Sequence, residues 1–358
     1  MNRQKFTGLN GLRAISILLV ICNHLGMATN VFHGMQDKKA LSPFILFLQD
    51  GHLGVNIFFV ISGFLITSLM LNEQEANGYV SVRKFYMRRL LRIFPAYYFL
   101  LLVYFILQRV GYLYIDPMSW LTAVTYTKYF NWQRGWYTSH LWSLSIEEQF
   151  YIFWPLIFTG LPKLRIKTLW VLIILVPLIR IFTAYHPVSR ISDLSIFTRI
   201  DAIATGCLLA FYRDRCISFL KKRIHLWFMV SVVALFLLRN LPPEVMLQLH
   251  GVFAAFGTTH GTFANIFIGV IVLYSITVKK GFWAWLLNSS IFNYIGLVSY
   301  SLYLWQQFFI SPHGKWINSF PQNIFLAFAA AIFSYYIIER PFLRLKERYM
   351  VKRQKDVV

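Results

Sequence analysis

Apolar segments of about 17 to 22 residues recur along the whole chain, and shorter segments that contain most of the charged residues separate them. A helix of this length crosses the ~30 Å hydrocarbon core of a bilayer. The pattern therefore predicts an all-α fold, a polytopic membrane bundle of about ten transmembrane helices. The predicted spans lie near residues 12–30, 53–72, 94–112, 141–160, 168–185, 195–212, 225–240, 260–278, 290–310 and 322–339.

The composition agrees with this architecture. With 57% hydrophobic and 14% charged residues, the chain is too apolar for an ordinary soluble domain. Because no charged block is long enough to form a separate soluble domain, we expect one integral membrane domain over residues 1–358.

The basic residues predict the orientation of the bundle. Most of the 35 lysines and arginines lie in alternate connecting segments, which is the distribution expected for cytoplasmic loops. Both termini are therefore predicted to be cytoplasmic. The net charge of +21 is explained by membrane orientation, so we expect lipids as partners and no nucleic acid.

Two connecting segments are more than simple loops. Residues 81–94 alternate basic and apolar positions at helical spacing, which predicts an amphipathic helix on the inner membrane surface. Arg89 and Arg92 share a face of this helix, and guanidinium groups bind phosphates well, either those of lipid headgroups or those of a cofactor such as coenzyme A.

The second segment, residues 117–138, predicts an aromatic belt at the outer interface, formed by Trp120, Tyr126, Tyr129, Trp132, Trp136 and Tyr137.

The first span contains two ionisable residues, Arg13 and His24, at a spacing of eleven. At ~100° and ~1.5 Å per residue, they lie on one stripe of the helix about 16 Å apart. Ionisable groups in an apolar span are costly and point to function. The structural alternatives are an Arg13 that extends to lipid headgroups and a His24 that is a hydrogen-bonded core residue.

The fourth span contains Glu147 and Glu148, and an unpaired carboxylate is unfavourable there. Counting residues from the span ends places Glu147 at a depth similar to that of His24. A carboxylate beside an imidazole fixes its tautomer and raises its basicity, as a general base requires. The alternative is that Glu147 pairs with an intramembrane arginine, such as Arg180 or Arg199.

Other polar positions in the spans favour structural roles. Arg199 and Asp201 in the sixth span are expected to neutralise each other as an ion pair, and Gly63 and Gly206 to permit close helix packing. The histidine spacings match no metal motif, so no metal is expected. The three cysteines support neither a disulfide framework nor a zinc site.

Seven motifs, in order over nearly the whole chain, together resemble the acyltransferase 3 family of integral membrane acyltransferases. They are GLRAISILLVICNH, GVNIFFVISGFLIT, FYMRRLLRIFPAYY, HLWSLSIEEQFYIFWP, RIDAIATGCLLA, IGLVSYSLYLWQ and IIERP. Gln306 stands where the family's pattern usually has a histidine, which argues against a required imidazole at that position.

The resemblance implies a membrane O-acyltransferase, most often an O-acetyltransferase, in the bacterial inner (cytoplasmic) membrane. Its donor would be cytoplasmic acetyl-CoA or another acyl-CoA, and its acceptor a hydroxyl of a cell-surface glycan or lipid-linked sugar, such as lipopolysaccharide O-antigen or exopolysaccharide. Some members have an appended hydrolase-like soluble domain, which we do not expect here.

The resemblance also implies site residues. His24 would be the catalytic base and Glu147 its support. Arg13, Arg89 and Arg92 would bind the donor. Apart from the resemblance, four further residues are candidates for support of the substrate or the structure: Ser143, Glu148, Arg199 and Asp201. Direct transfer is favoured over an acyl-enzyme, because no obvious Ser or Cys nucleophile accompanies His24. The competing function is a proton-coupled transporter or flippase of a lipid-linked sugar.

Overall fold

The structure is a computed structural model that describes residues 8–32, 41–130, 135–186, 195–241, 245, 256, 258–259 and 261–345. Over these residues it contains helices and no strand. In chain order, α1 to α8 are Leu9–Ala28, Ser42–Leu48, Gly51–Asn77, Val82–Arg109, Pro117–Val124, Trp136–Ser139, Leu141–Gly160 and Arg165–Tyr185. Helices α9 to α15 are Ile196–Phe211, Arg213–Leu220, Ile224–Arg239, Thr262–Thr277, Phe282–Asn288, Ser290–Phe309 and Gln322–Ser334. A π-helical turn, Tyr335–Glu339, follows α15.

A helix lies at each position where the sequence predicts a span, and the all-helical fold is confirmed for the described residues. By length and composition, five segments of the described residues can cross a membrane: α1, α3, α4, α8 and Gln322–Leu345, which extends α15 through the π-helical turn. The number is six if α12 and α13, which are bent by 84°, form one span. Helices α9 and α11 have 16 residues each, about 24 Å, which is less than the ~30 Å hydrocarbon core. Ten crossings and cytoplasmic termini stay predictions.

Helix α4 joins two elements that the sequence analysis treats separately. It starts at its N-cap Ser81, whose side chain accepts a hydrogen bond from Lys84 N, and it continues through Pro95 to Arg109. Pro95 lacks the N–H that would bond to the preceding turn, yet the helix continues through it without a break. The basic segment 81–94 is thus the first part of the third predicted span rather than a separate surface helix.

The chain forms two compact units. The first unit consists of Met1–Gly78 and Leu161–Leu297, and the second unit consists of Tyr79–Gly160 and Val298–Val358. In the first unit, α3 packs against α1 and α9, α8 packs against α9, and α11 against α12. In the second unit, α4 packs against α7 and against the π-helical turn.

The crossing of α3 and α9 depends on two glycines. A Cβ at Gly63 would overlap the carbonyl oxygen of Ile203, and a Cβ at Gly206 would overlap that of Val60. The two backbones therefore approach so closely that each helix needs a glycine facing the other. The prediction that Gly63 and Gly206 permit close packing is confirmed.

The aromatic segment of the second unit differs from the predicted interfacial belt. Three of its tyrosines are buried: Tyr126, Tyr129 and Tyr137. Trp136 Nε1 donates to the carbonyl oxygen of Gln307 at 3.0 Å. These aromatic residues thus pack inside the unit, where Trp136 Nε1 and Tyr129 Oη also find protein acceptors. Trp132 lies outside the described residues.

Candidate functional site

Helix α1 carries Arg13 and His24 in one continuous helix, and both side chains are half-buried. Ile17 and Val20 lie between them on the same stripe, each within about 40° of Arg13 around the helix axis. Ile17 is 0% exposed and Val20 is 2% exposed. The stripe therefore has a basic group at one end, an imidazole at the other and a buried apolar section between them.

The end of α1 that carries His24 is fixed against the turn between α2 and α3. Asn23 Nδ2 donates to the carbonyl oxygen of Gln49 at 2.7 Å. Gly51, the first residue of α3, packs so closely that a Cβ there would lie 2.8 Å from Cβ of Asn23. His24 thus stands next to a residue that binds the start of α3 directly.

Asp50 is the N-cap of α3. Its Oδ1 accepts a hydrogen bond from Leu53 N at 2.9 Å, and its Oδ2 lies 3.6 Å from Arg239 Nε. Burial raises the pKa of the Asp50 carboxyl, and the charges of Arg239 and Arg199 oppose this effect. Two guanidinium groups therefore act on one buried carboxylate.

Arg199 of α9 is 1% exposed, and its Nη2 lies 3.2 Å from Nδ1 of His52. Because a guanidinium group only donates, His52 Nδ1 is the acceptor in this contact. The His52 side chain is exposed at the start of α3. Sequence analysis missed Asp50 and His52, although both precede an apolar run.

The predicted ion pair between Arg199 and Asp201 is wrong. Asp201 Oδ1 accepts from Arg180 Nη2 of α8 at 2.7 Å, and its Oδ2 accepts from Thr262 Oγ1 at 2.9 Å and Asn265 Nδ2 at 3.0 Å. The reason is geometric, because residues two apart on a helix project about 200° from each other. Arg180, a possible partner of Glu147 in the sequence analysis, forms its ion pair with Asp201.

Sequence analysis also missed the amides of this network. Asn56 Nδ2 of α3 donates to Asn265 Oδ1 of α12 at 2.8 Å, and both residues are 0% exposed. The signal is present in GVNIFF and TFANIF, where a single amide interrupts an apolar run. A buried amide needs hydrogen-bond partners, so such positions predict a polar network inside a bundle.

In the second unit, the predicted donor-binding residue Arg89 stacks on an aromatic ring. Its guanidinium carbon lies 4.2 Å from the ring centroid of Tyr151 on α7. The charges of Arg89 and Glu147 both act on the Glu148 carboxylate, whose Oε1 is buried and makes no hydrogen bond. The arrangement holds the planar guanidinium group in a fixed orientation.

Arg92, one turn further along α4, lies near the π-helical turn. Its charge and that of Glu339 both act on Tyr335. Glu339 is 3% exposed, and its Oε2 accepts a hydrogen bond from Ser301 Oγ at 3.0 Å. A buried acidic residue of the IIERP motif thus accompanies the second predicted donor-binding arginine.

Ser143 lies in a hydrogen-bonded group that sequence analysis did not identify. Tyr303 Oη donates to the carbonyl oxygen of His140 at 2.7 Å, and Ser143 Oγ lies 2.6 Å from Tyr303 Oη. The charge of Glu147 acts on Tyr303. Tyr303 belongs to the SYSLYLWQ motif, so its position in that motif was the available signal.

The predicted site residues are thus divided between the units. Arg13, His24, Arg199 and Asp201 belong to the first unit, and Ser143, Glu147, Glu148, Arg89 and Arg92 to the second. The predicted pairing of Glu147 with His24 stays a prediction. Within the described residues, no group of three or more His, Cys, Asp or Glu side chains is arranged to hold a metal ion.

Comparison with known proteins gives a family and several relatives. A family model described as an acyltransferase domain matches residues 6–339. The chain is 29% identical over 378 residues to "Putative O-acetyltransferase SACOL0978" of Staphylococcus aureus (strain COL), an alignment of 94% of this chain and 57% of that protein. It is 31% identical over 230 residues to "O-acetyltransferase OatA" of Staphylococcus aureus (strain NCTC 8325 / PS 47), covering 57% of this chain and 34% of OatA.

The match therefore spans 57% of the length of SACOL0978 and 34% of the length of OatA. No solved structure matches the chain.

Proposed function

The chain belongs to the acyltransferase 3 family, and we propose that it transfers an acetyl group from cytoplasmic acetyl-CoA to a hydroxyl of a cell-surface carbohydrate. Acceptors of this class include lipopolysaccharide O-antigen and exopolysaccharide. The names of the relatives support O-acetyl transfer as the reaction. We place the protein in the bacterial inner membrane as a multi-pass protein with cytoplasmic termini.

The observation that carries the proposal is the stripe of α1. Arg13 and His24 lie at its two ends, and the buried side chains of Ile17 and Val20 lie between them. Arg13 binds a phosphate of the donor, and the narrow pantetheine arm extends along the bundle toward His24. The separation of about 16 Å between the two residues suits a ligand with a charged end and a distant reactive end.

His24 acts as the general base of the transfer. It takes the proton of the acceptor hydroxyl, whose oxygen then attacks the thioester carbonyl carbon. The carbon–sulfur bond breaks, coenzyme A leaves as a thiolate, and the proton passes from His24 to that thiolate. Glu147 supports the protonated imidazole.

Two arginines of α4 are also proposed to bind the donor. Arg89 is oriented by its stacking on Tyr151, so its N–H groups in the guanidinium plane are available for bidentate phosphate binding. Arg92 binds the donor beside the π-helical turn. Glu148 interacts electrostatically with Arg89, and Ser143 supports the substrate site through Tyr303.

Direct transfer fits the position of the nearest thiol on α1. Cys22 lies two residues from His24 and projects about 200° around the helix from it. Its side chain therefore points away from the proposed base. A serine or cysteine acyl-enzyme is not needed for the scheme.

The test compares surface polysaccharide from cells that express wild type, His24→Ala, Cys22→Ala or no protein, by NMR of ester-linked acetyl groups. We expect an ester signal with wild type and Cys22→Ala and none with His24→Ala, at equal protein levels in the membrane. Full ester formation by His24→Ala would exclude His24 as the general base. If wild type formed no ester with any acceptor, O-acetyl transfer itself would be excluded.

A further inference from the structure

We propose that five exposed basic residues of the first unit form a binding surface for the phosphodiester headgroups of anionic phospholipids. The five residues, called the basic surface here, are Lys221, Lys222, Arg223, Lys279 and Lys280. The proposal concerns a lipid partner of the first unit and is independent of the acyl-transfer reaction.

The basic surface combines two segments of the chain. Lys221–Arg223 is a 3₁₀ turn between α10 and α11, and Lys279 and Lys280 connect α12 to α13. All five residues are exposed. Within the described part of the chain, none of the five makes an ion pair or a side-chain hydrogen bond. Their charges are therefore available to a ligand from outside the protein.

A buried apolar cluster places the two segments side by side. Leu220 and Ile224, which flank the 3₁₀ turn, lie in one cluster with Tyr274 of α12. Val278 and Trp283, which lie on either side of the lysine pair, pack against the same cluster. Because residues next to both segments share this cluster, the five positive charges lie at one end of the first unit.

The sequence around the basic surface provides no carboxylate to neutralise it. The chain contains no acidic residue from 215 to 243 or from 245 to 338. Asp214, the last acidic residue before the 3₁₀ turn, has its Oδ1 2.9 Å from Nε of Arg213 and so already has a basic partner. The basic surface therefore attracts anions, and each lysine or arginine near an anionic bilayer contributes about 1 kcal/mol to such attraction.

Helix α13, which follows Lys279 and Lys280, is suited to the membrane interface. It is bent by 84° from α12, and with α12 as a predicted span this bend directs α13 along the membrane plane. Ala284 and Leu287 are buried on one face of α13. Phe282 and Trp285, on the opposite face, are 72% and 66% exposed. The exposed face thus carries the aromatic side chains that favour the headgroup region of a bilayer.

The 3₁₀ turn has aromatic neighbours of the same kind. Phe219 before it and Trp227 after it are exposed, and their ring centroids lie 6.5 Å apart. Aromatic rings next to exposed basic groups suit a bilayer surface, because the rings enter the interface while the charges meet lipid phosphates. A soluble phosphate ligand would leave the aromatic rings of both segments in water. The combination therefore favours a phospholipid headgroup as the occupant.

The test measures lipid retention by the purified full chain with native mass spectrometry. The protein in neutral detergent is titrated with equal amounts of phosphatidylglycerol and phosphatidylcholine that have the same acyl chains. We expect wild type to retain the anionic lipid about tenfold or more strongly than the zwitterionic lipid.

Two paired variants locate the binding surface. Lys221→Gln/Lys222→Gln and Lys279→Gln/Lys280→Gln are each expected to lower the affinity for phosphatidylglycerol about tenfold and to leave that for phosphatidylcholine unchanged. All four lysines are exposed, so their substitution spares the packed core. Unchanged phosphatidylglycerol affinity in both paired variants would overturn the proposal.

The matched control is Lys163→Gln/Lys167→Gln, which removes two exposed lysines of the same unit around the start of α8. It should bind phosphatidylglycerol as wild type does. An equal loss in the control and in the two test variants would show only general charge attraction, which would refute a defined surface. Equal retention of the two lipids by wild type would refute it as well. Displacement of phosphatidylglycerol by excess coenzyme A or by an acidic peptide at physiological ionic strength would assign the basic surface to a soluble polyanion instead.

Discussion

Arg180 of α8 donates to Asp201 of α9 at 2.7 Å, and the two side chains are 5% and 0% exposed. Arg180 also donates to the carbonyl oxygen of Thr198 through Nε at 2.8 Å and Nη2 at 2.6 Å. With Thr262 and Asn265 also bonded to Asp201, the network joins α8, α9 and α12. Because Arg180 and Asp201 have their hydrogen-bond partners within the protein, they stabilise the packing of these helices rather than bind a substrate.

Asp201→Ala should therefore destabilise the protein strongly. The substitution leaves the buried Arg180 guanidinium without its carboxylate, and the loss of one partner from a buried pair costs about 3–5 kcal/mol. The measurement is the thermal unfolding midpoint of the purified protein in detergent, together with its level in the membrane.

The control is Asp214→Ala, which breaks a surface ion pair with Arg213 whose side chains are 82% and 25% exposed. Such pairs contribute about 0–1 kcal/mol, so its midpoint should stay near that of wild type. Equal midpoints for Asp201→Ala and Asp214→Ala would show that the Arg180–Asp201 pair does not hold the bundle together.

Gly63→Ala should disturb the crossing of α3 and α9. The added methyl group would overlap the Ile203 carbonyl oxygen, and backbone atoms cannot yield as a flexible side chain can. We expect a lower unfolding midpoint and less protein in the membrane. Gly269→Ala is the control, because its new methyl would lie 3.8 Å from Leu209 and the helix would gain about 1 kcal/mol in propensity. A Gly63→Ala protein as stable as Gly269→Ala would contradict the close crossing.

Periodicity alone identified much of this fold. The ~100° rotation per residue placed Arg13 and His24 on one stripe, and the small residues Gly63 and Gly206 indicated a close crossing. These predictions succeeded because they depend on geometry within a single helix or on the absence of a side chain.

Contacts between helices were harder to predict. The partner of Asp201 is Arg180 on a neighbouring helix, and nothing in the spacing of Arg199 and Asp201 shows which helix lies alongside. Tyr126, which would suit an interface as well as a core, is buried in the second unit. Such outcomes depend on how helices pack, which a single sequence does not specify.

Arg89→Lys should weaken donor binding more than catalysis. Lysine keeps the positive charge but loses the planar stacking on Tyr151 and the bidentate phosphate geometry. We expect the KM for acetyl-CoA to rise about tenfold with a smaller change in kcat, measured with membranes and a radiolabelled donor. Arg83→Lys, an exposed position on the same helix, is the control and should leave KM unchanged. A normal KM in Arg89→Lys would remove Arg89 from the donor site.

Tyr303→Phe should weaken the support of Ser143. The hydroxyl donates to the His140 carbonyl oxygen at 2.7 Å and contacts Ser143 Oγ at 2.6 Å, so its removal takes a short hydrogen bond from each group. Ser143 Oγ still donates to the His140 carbonyl oxygen at 3.4 Å, so we expect a loss of about 0.5–1.5 kcal/mol in the free energy of unfolding. Tyr114→Phe, at a side chain that is 73% exposed, should have no effect.

A double-mutant cycle with Ser143→Ala separates this hydrogen bond from the other effects of each change. If the two hydroxyls bond to each other, the stability losses of Tyr303→Phe and Ser143→Ala, added together, should exceed the loss of the double variant by about 0.5–3 kcal/mol. The same cycle on acetyl transfer tests whether the pair supports the reaction as well as the fold. Additive losses of stability would show that Tyr303 acts on His140 alone, and Ser143 would then lose its place in the proposed substrate site.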